Sequence, residues 1–488
     1  MAYGLSKSRL LEWRQCPKRL WLKVHRPDLI ETSAATERAF RVGYEIGDVA
    51  RRLHPGGMLI DTGDLREALR LTRQLLANQP GRPLFEATFE HDGLLVRADL
   101  LLPEAGGYRM VEVKAATSVK DYYLDDAAIQ RWVAGNAITL TGVDVAHVDR
   151  QFVYLGDCDY RGLLKPVSVV AETEILCREV PSWVSAARKL LAGGEPDIEP
   201  GSHCTDPFEC PFVAYCNAGK PVAEFPLTSL PYLTARKREQ LEAQGILDVR
   251  QVPDGFPLTD AQARVRRVTR TGMPELLPEA AHALSAFRWP RYYLDFETIS
   301  MPVPIWAGTR PYQKIPVQWS CHVETQDGNL THHAFLADGR DDPRPSFAIE
   351  MINAVGTDGP VFVYNQGFEL GRINELARDI PDLAAPLRAI TGRVVDLLPL
   401  ARENYYHPAM LGSWSIKAVL PTIGSGLDYA TMEIGDGCTA EAAWLEILHP
   451  DTPGDRRQAL RKALADYCLL DTLAMIRLAH FLQGKPPS

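Results

Sequence analysis

The sequence predicts a multidomain α/β protein, and three observations support this fold class. The chain has 488 residues, about three times the ~150 residues at which one core usually stops growing. Its 46% hydrophobic and 24% charged residues match soluble globular proteins and exclude global disorder. Segments with strand and helix periodicity alternate twice, within 1–217 and within 289–488. We therefore predict two α/β domains, joined by a helical connector over 218–288.

The charge balance excludes a protein that coats nucleic acid through bulk positive charge. Lys and Arg number 53 against 62 Asp and Glu, for a net charge of −9. No stretch approaches the ~18 consecutive apolar residues of a membrane span, and the first residues lack a signal-peptide pattern. We expect a cytoplasmic protein without membrane contact. In a reducing compartment its nine cysteines are core residues, metal ligands or redox groups rather than disulfides.

The N-terminal domain is predicted as a mixed sheet flanked by helices. Apolar residues at helical spacing indicate helices over 6–22, 36–52, 65–77 and 124–133. Alternating apolar and polar residues bounded by Gly-containing turns indicate strands over 85–89, 94–102, 108–115 and 146–155.

A second α/β pattern follows the connector, whose Leu-, Gln- and Arg-rich stretches lack strand signals. Strands are predicted over 292–296, 317–324, 331–336 and 360–364. Helices are predicted over 347–355, 368–378 and 457–482.

Two acids and a lysine fall on adjacent predicted strands of the first domain. Glu112 and Lys114 alternate with valines, so both project from one face, and Asp99 lies on the preceding strand. Carboxylates can hold Mg²⁺ or Mn²⁺ and activate a bound water, while a lysine offsets phosphate charge. This pattern favours phosphodiester hydrolysis. An exposed strand face with a cross-strand ion pair is the alternative.

Glu86 before these residues and Gln130 on the following helix complete an ordered motif. The order Glu, Asp, Glu-x-Lys, Gln resembles the RecB-like branch of the PD-(D/E)XK nucleases, over residues 1–217. The resemblance implies a restriction-endonuclease-like mixed sheet. It also implies Asp99 and Glu112 as metal ligands, Lys114 as the catalytic lysine and Gln130 as the motif glutamine.

The chain departs from this pattern at two positions. The first helical motif of the family usually ends in a metal-binding His, where this chain has Gly47. The glutamine motif lacks its Tyr, since Ala134 stands four residues after the Gln. His54 is the one candidate substitute for the missing ligand. A binding module that has lost catalysis is therefore the alternative for this domain.

Four cysteines bracket the first domain. Cys204, Cys210 and Cys216 recur at intervals of six, and Cys16 lies far upstream. Four thiolates suit an iron–sulfur cluster or zinc, but zinc sites more often use close Cys-x₂₋₄-Cys pairs. Buried free cysteines are the alternative. The arrangement resembles the iron–sulfur nucleases of the AddB and CRISPR-adaptation type, which implies a [4Fe–4S] cluster that staples the first helix to the end of the domain. The remaining cysteines are predicted in the core: Cys158, Cys177, Cys321, Cys438 and Cys468.

Paired acids recur in the second domain. Asp295 and Glu297 share one face of its first strand, and two such carboxylates repel unless a cation lies between them. Tyr467 and Asp471 are four residues apart on the last helix and share a face.

These motifs resemble the DEDD exonucleases of the RNase H-like superfamily, over residues 289–488. The middle acid departs from the family pattern, and we assign it to Glu369, with Asp396 in reserve. The resemblance implies two Mg²⁺ or Mn²⁺ ions about 4 Å apart, and a water oriented by Tyr467. It also implies 3′-to-5′ polarity with release of 5′-mononucleotides.

Basic residues beside these motifs are candidate contacts to nucleic acid. A run of four arginines lies in the connector, and a solvated helix face is its usual interpretation. A lysine in the second domain is a further candidate phosphate contact. These residues are Arg264, Arg266, Arg267, Arg270 and Lys417.

Together the motifs predict a chain with two nuclease domains, as in uncharacterised bacterial fusion proteins, that acts in DNA repair, processing or defence. DNA is favoured over RNA as the substrate. No Gly-x-x-x-x-Gly-Lys-Ser/Thr loop is present, so we expect a helicase or another partner to supply unwinding. The alternative is a nucleic-acid-binding iron–sulfur scaffold in which only the C-terminal site, or neither site, is catalytic.

Overall fold

The computed structural model describes residues 4–31, 34–219 and 222–485. Its contacts divide the chain into two compact units. The first unit contains 1–220 and 301–313, and the second contains 221–300 and 314–488. Each unit combines a mixed sheet with helices, which confirms the predicted α/β class.

The first unit has a seven-stranded sheet in the order β2-β3-β4-β5-β6-β7, with β1 paired to β4. The antiparallel hairpins β3–β4 and β4–β5 form its centre, and β6 runs parallel to β5. The strands are β1 (Leu5–Ser6), β2 (Met58–Leu59), β3 (Leu84–His91), β4 (Leu94–Glu104), β5 (Gly107–Lys114), β6 (Leu140–Val148) and β7 (Leu164–Ser168).

Helices pack against this sheet around a core of Leu, Val, Ala and Trp side chains. They are α1 (Lys7–Gln15), α2 (Pro17–His25), α3 (Ala34–Arg52), α4 (Leu65–Asn78), α5 (Asp121–Gly135), α6 (Val170–Cys177), α7 (Val180–Leu191) and α8 (Val213–Asn217). Helix α5 connects the parallel strands β5 and β6, as a parallel pair requires.

Two elements of this unit differ from the prediction. The single helix expected over 6–22 is two helices, because Cys16 is extended and Pro17 cannot continue a helix hydrogen-bond ladder. The strand expected over 146–155 is β6, which ends at Val148. A turn in which Phe152 N–H donates to Asp149 O follows it.

The second unit is built on a five-stranded sheet in the order β11-β10-β9-β12-β13, with a separate β8–β14 pair. Strand β9 is central, antiparallel to β10 and parallel to β12. The strands are β8 (Glu275–Leu276), β9 (Arg291–Ser300), β10 (Lys314–Glu324), β11 (Leu330–Leu336), β12 (Val361–Val363), β13 (Val394–Asp396) and β14 (Tyr405–Tyr406).

The helices of the second unit include one of 29 residues, which packs on β9 and β10. They are α9 (Ala235–Glu242), α10 (Asp260–Thr271), α11 (Glu279–Ser285), α12 (Arg344–Val355), α13 (Gly367–Asp379), α14 (Ala384–Thr391), α15 (Leu397–Asn404), α16 (Ile416–Val419), α17 (Gly437–Leu448) and α18 (Gly454–Leu482). Within the described ranges, no helix has both the length and the apolar character needed to cross a bilayer.

The contacts place two segments differently from the predicted domain plan. Residues 221–288, most of the segment expected to form a separate connector, belong to the second unit, where β8 pairs with β14 and Arg264 donates to the carbonyls of Arg402 and Glu403. Residues 301–313, expected in the C-terminal domain, belong to the first unit. There Val303 and Tyr312 pack against a core cluster that contains Val148.

Candidate active sites and a four-thiol pocket

Strand β9 supplies two acids to the candidate site of the second unit. Leu294 and Phe296 pack into the core on one face of the strand, so Asp295 and Glu297 project from the other face. Helix α18 packs on β9 and carries Asp471. Alternation along β9 and the packing of α18 against this strand therefore bring these three carboxylates together.

The three carboxylates form a compact group of oxygen ligands. One ligand oxygen each from Asp295, Glu297 and Asp471 lies within 4.8 Å of the other two. Among the described residues, no other group of three or more His, Cys, Asp or Glu side chains meets this distance. Glu369, in the first turn of α13, is 2% exposed, and its Oε2 has no hydrogen-bond partner. A buried, unpaired carboxylate oxygen fits a cation ligand.

Burial raises the pKa of all four acids, and the charges of neighbouring site carboxylates add to the shift for Asp295 and Glu297. Burial raises the pKa of Glu297 to about 8, and the neighbouring Asp471 charge adds to the shift. Burial likewise raises the pKa of Glu369 to about 8 and that of Asp471 to about 6. The pKa of Asp295 lies well above its usual range, through burial and the charges of Asp471, Glu297 and Glu369. A divalent cation would relieve this repulsion.

Two tyrosines and a lysine surround the carboxylates. Lys417 Nζ donates to the Tyr467 hydroxyl at 3.0 Å and to Gly435 O at 2.6 Å. The Tyr429 hydroxyl donates to Asp471 Oδ1 at 2.6 Å. Sequence reasoning identified Tyr467, expected Lys417 at a phosphate, and missed Tyr429, which lies in an irregular segment with no periodic signal.

Asp396, the reserve candidate for the middle acid, has a structural role. Its Oδ1 accepts from the backbone N–H groups of Asn365 and Leu398, both at 2.9 Å, and its Oδ2 accepts from Gln366 N–H at 3.0 Å. These bonds cap α15 and fix the turn before α13. This arrangement favours Glu369 over Asp396 as the ligand.

The first unit also brings most of its predicted site residues together. Lys114 Nζ donates to Glu112 Oε1 at 2.6 Å, and Gln130 Nε2 donates to Glu112 Oε2 at 2.5 Å. Asp126, one helical turn before Gln130 on α5, accepts from Gln130 at 3.0 Å and from Lys114 at 2.6 Å. Asp126 lies four residues before Gln130, a spacing that places both side chains on one face of a helix. This spacing could have identified Asp126 as a site residue, but the sequence-based prediction did not include it.

Lys7 is a second lysine at this site, and no sequence motif indicated it. Its Nζ lies 2.9 Å from Glu112 Oε1 and 3.0 Å from Asp126 Oδ1. Ser6 caps α1 and pairs with β4, so Lys7 begins its helix at the edge of the acid cluster. The charges of Asp126 and Glu112 outweigh burial and raise the pKa of Lys7 above its usual range, so the amine is protonated.

Asp99 lies beside this cluster without joining its ion pairs. Its Oδ2 accepts from Val113 N–H at 2.7 Å. Burial, with the Glu112 charge, raises the pKa of Asp99 to about 8. Glu86 lies 3.9 Å from Arg97 Nε at the margin of the site.

The four predicted cluster cysteines line one pocket of the first unit. Cys16, Cys204, Cys210 and Cys216 all contribute to its wall. Cys210 N–H donates to Cys204 O at 2.8 Å, which folds the loop that carries two of these thiols. Within the described ranges, no three of these sulfurs lie within 4.8 Å of one another. The four cysteines therefore line one pocket without forming a group as compact as the acids of the second unit.

The arginine run of α10 is engaged within its own unit. Arg264 and Arg267 pair with Glu275, at 2.6 Å and 2.5 Å. Arg266 and Arg270 pair with Asp254, at 3.4 Å and 2.5 Å. A role for these arginines in nucleic-acid binding stays a prediction, and Arg267, with 58% of its side chain exposed, is the most accessible of the four.

Comparisons with known proteins match part of the chain. Residues 292–415, which include Asp295, Glu297 and Glu369, match a family described as a domain of unknown function, DUF2779. No curated protein matches the chain.

Two solved structures resemble parts of the chain. One is the family B DNA polymerase of the hyperthermophilic archaeon Pyrobaculum calidifontis, with 20% identity over 39% of this chain and a TM-score of 0.26. The match covers 24% of the polymerase, so this chain spans about a quarter of its length. The other is the crystal structure of the protein SSO0001, with 14% identity over 44% of this chain and 85% of that protein, and a TM-score of 0.23.

Proposed function

We propose that this protein is a metal-dependent nuclease whose catalytic centre is the carboxylate group of the second unit. One observation carries the proposal: Asp295, Glu297 and Asp471 present ligand oxygens within 4.8 Å of one another. The buried, unpaired oxygen of Glu369 supports a fourth ligand. Mg²⁺ or Mn²⁺ bound there would activate a water and stabilise the leaving oxygen of a phosphodiester.

The side chains around the carboxylates would position the attacking water. Burial and the neighbouring carboxylates raise the pKa of Tyr467 far above neutrality, so its phenol stays protonated. A neutral phenol orients a water by hydrogen bonding and does not act as its base. Lys417 holds the Tyr467 hydroxyl, and its charge lowers the pKa of Glu297 and Asp471. Lys417 is therefore a positioning residue.

The substrate class and polarity rest on the motifs. The Asp-x-Glu strand and the Tyr-x-x-x-Asp helix resemble DEDD exonucleases, which supports 3′-to-5′ removal of 5′-mononucleotides. DNA is the proposed substrate, with repair, processing or defence as the setting. Frayed or single-stranded ends fit a chain whose sequence has no nucleotide-binding P-loop, with a helicase as the partner that would expose them.

The test is digestion of end-labelled single- and double-stranded DNA and RNA with Mn²⁺. Wild type is expected to shorten single-stranded DNA from the 3′ end, and Asp295→Asn to lose this activity by about 10³-fold or more. Asp338→Asn is the matched control, because Asp338 is an exposed acid of the same unit with 91% of its side chain accessible. Equal activity in wild type and Asp295→Asn would reject the proposal. Cleavage of RNA alone would reject the DNA assignment.

We also propose that the four-thiol pocket holds a [4Fe–4S] cluster. A tetrahedral zinc ion with Zn–S bonds of ~2.3 Å would need sulfurs about 3.8 Å apart, whereas no three of these described sulfurs lie within 4.8 Å. A [4Fe–4S] cluster, which takes one thiolate on each iron, does not require all four sulfurs to contact a single ion. Gln15 at the end of α1 donates to His203 O and Phe208 O, so the pocket joins the start and end of the unit.

Anaerobic purification with iron and acid-labile sulfide analysis tests this assignment. We expect about four irons per chain, with loss of most of the iron in Cys210→Ser. Cys177→Ser is the control, because Cys177 does not line the pocket. Stoichiometric zinc without sulfide would contradict the cluster.

A further inference from the structure

The site of the first unit is already occupied by cations from the chain itself. Lys7 Nζ lies between two carboxylates, 2.9 Å from Glu112 Oε1 and 3.0 Å from Asp126 Oδ1. Lys114 Nζ bridges the same two acids, at 2.6 Å from each. The two acids and two lysines therefore form a closed ring of ion pairs.

This ring is shielded from solvent. The side chains of Glu112 and Asp126 are 3% and 5% exposed, and those of the lysines are 18% exposed. Charge pairs at these distances interact strongly where water is scarce. Gln130 adds hydrogen bonds to both acids, which fixes the carboxylates toward the ammonium groups.

A divalent cation does not fit this arrangement. Mg²⁺ binds oxygen at 2.0–2.1 Å, and an ion that close to Glu112 Oε1 would lie against two ammonium groups that already contact this oxygen. No third acidic, His or Cys ligand joins Asp99 and Glu112 within the described ranges. Gly47 supplies no side chain at the position where the nucleases that this motif order resembles have a His.

The two candidate sites also differ in the balance of acidic and basic side chains. In the first unit, Lys7 and Lys114 are both ion-paired with Glu112 and Asp126, while Asp99 beside them accepts a hydrogen bond from Val113 N–H. In the second unit, the four carboxylates of the candidate site have one lysine beside them, Lys417, whose Nζ donates to the Tyr467 hydroxyl and to Gly435 O. Lysine side chains therefore neutralise more of the acidic charge in the first unit than in the second.

We infer that Lys7 takes the place of a divalent cation, so that the first unit has a metal-free site held by lysine. Asp99 and Glu112, predicted from the sequence as metal ligands, then bind no metal ion. A metal-free first unit is independent of catalysis in the second unit, because it concerns metal binding in the first unit alone.

The test is Mn²⁺ binding, measured by electron paramagnetic resonance of the free ion. The background is the full chain with Asp295→Asn and Glu297→Gln, which disables the second unit, and we expect no Mn²⁺ that depends on Glu112. Lys7→Met in this background should gain one Mn²⁺ per chain, with affinity raised about tenfold or more. Further addition of Glu112→Gln should abolish that gain.

Lys7→Arg and Lys23→Met are the controls. Arginine keeps the positive charge, and Lys23 pairs with Glu12 elsewhere in the unit, so neither variant should gain a site. If Lys7→Met has a lower melting temperature than wild type, Lys7→Gln, which keeps a polar side chain, replaces it in the binding experiment. Glu112-dependent Mn²⁺ binding in the background would overturn the inference. So would a folded Lys7→Met or Lys7→Gln variant without a new site.

Discussion

The Tyr429 hydroxyl donates a 2.6 Å hydrogen bond to Asp471 Oδ1. The partners are 42 residues apart in the chain, and both are buried. This bond lowers the pKa of Asp471, against the larger effect of burial, and leaves that pKa at about 6. The carboxylate is therefore available to a cation at neutral pH because a phenol holds it in the ionised form.

Tyr429→Phe is expected to weaken Mn²⁺ binding in a pH-dependent way. A hydrogen bond to a charged group contributes about 1.5–3 kcal/mol, so its loss should lower affinity about tenfold near pH 6. The loss should be smaller at about pH 8.5, where Asp471 is ionised in both proteins. Calorimetric titration at the two pH values measures the difference. Tyr405→Phe is the control, since its hydroxyl bonds Thr422 outside the site.

Lys417→Met is expected to move the acidic limb of the pH–rate profile to higher pH. The lysine charge lowers the pKa of Glu297 and Asp471, so more protons must leave before a cation binds. Turnover should fall about 10–100-fold as Tyr467 loses its partner. Lys417→Arg keeps the positive charge, so the acidic limb of its pH–rate profile should lie close to that of wild type. Its turnover should be restored to a smaller extent. Lys462→Met, at an exposed ion pair on α18, should change neither.

The stability of the metal-free protein should fall as pH rises. Glu297 and Glu369 have an ordinary pKa of 4.5 and a folded-state pKa of about 8, so between these values the folded state binds more protons than the unfolded state. Their stabilising effect is complete below about pH 4.5 and is lost as pH rises through about 8. Mn²⁺ should therefore raise Tm more at high pH than at low pH. A Tm increase independent of pH would contradict these pKa values.

Asp126→Asn should destabilise the first unit far more than Asp125→Asn. Asp126 accepts from Lys7 and Lys114 in a buried ring, and losing its charge leaves two ammonium groups sharing Glu112. Breaking a buried pair costs about 3–5 kcal/mol. Asp125 pairs with Arg14 at a more exposed position, where the cost is about 0–1 kcal/mol. Urea unfolding measures both, and equal costs would show that the ring is not stabilising.

Local periodicity explains which site residues could be predicted from the sequence. Asp295 and Glu297 alternate on β9, and Glu112 and Lys114 alternate on β5, so a period of two placed each pair on one face. Tyr467 could be predicted for the same reason, because its four-residue spacing from Asp471 places both side chains on one face of a helix. The α/β class follows from the same alternation of periods.

Long-range contacts explain the residues that the sequence did not reveal. Lys7 reaches an acid 105 residues away, and Tyr429 lies in a turn whose position depends on the folded unit. The local spacing of residues in the sequence does not indicate contacts between such distant positions. The role of Asp396 as a cap likewise depends on backbone N–H groups about 30 residues upstream, which a motif comparison does not contain.

The placement of residues 301–313 has an evolutionary consequence. These residues belong to the first unit although they lie between β9 and β10 of the second. A chain ended after residue 220 would lack Val303 and Tyr312, which pack against the first unit's core. Recombination at a single breakpoint after residue 220 therefore carries the second unit whole but leaves the first unit without part of its core, so we expect the first unit to be inherited together with the second.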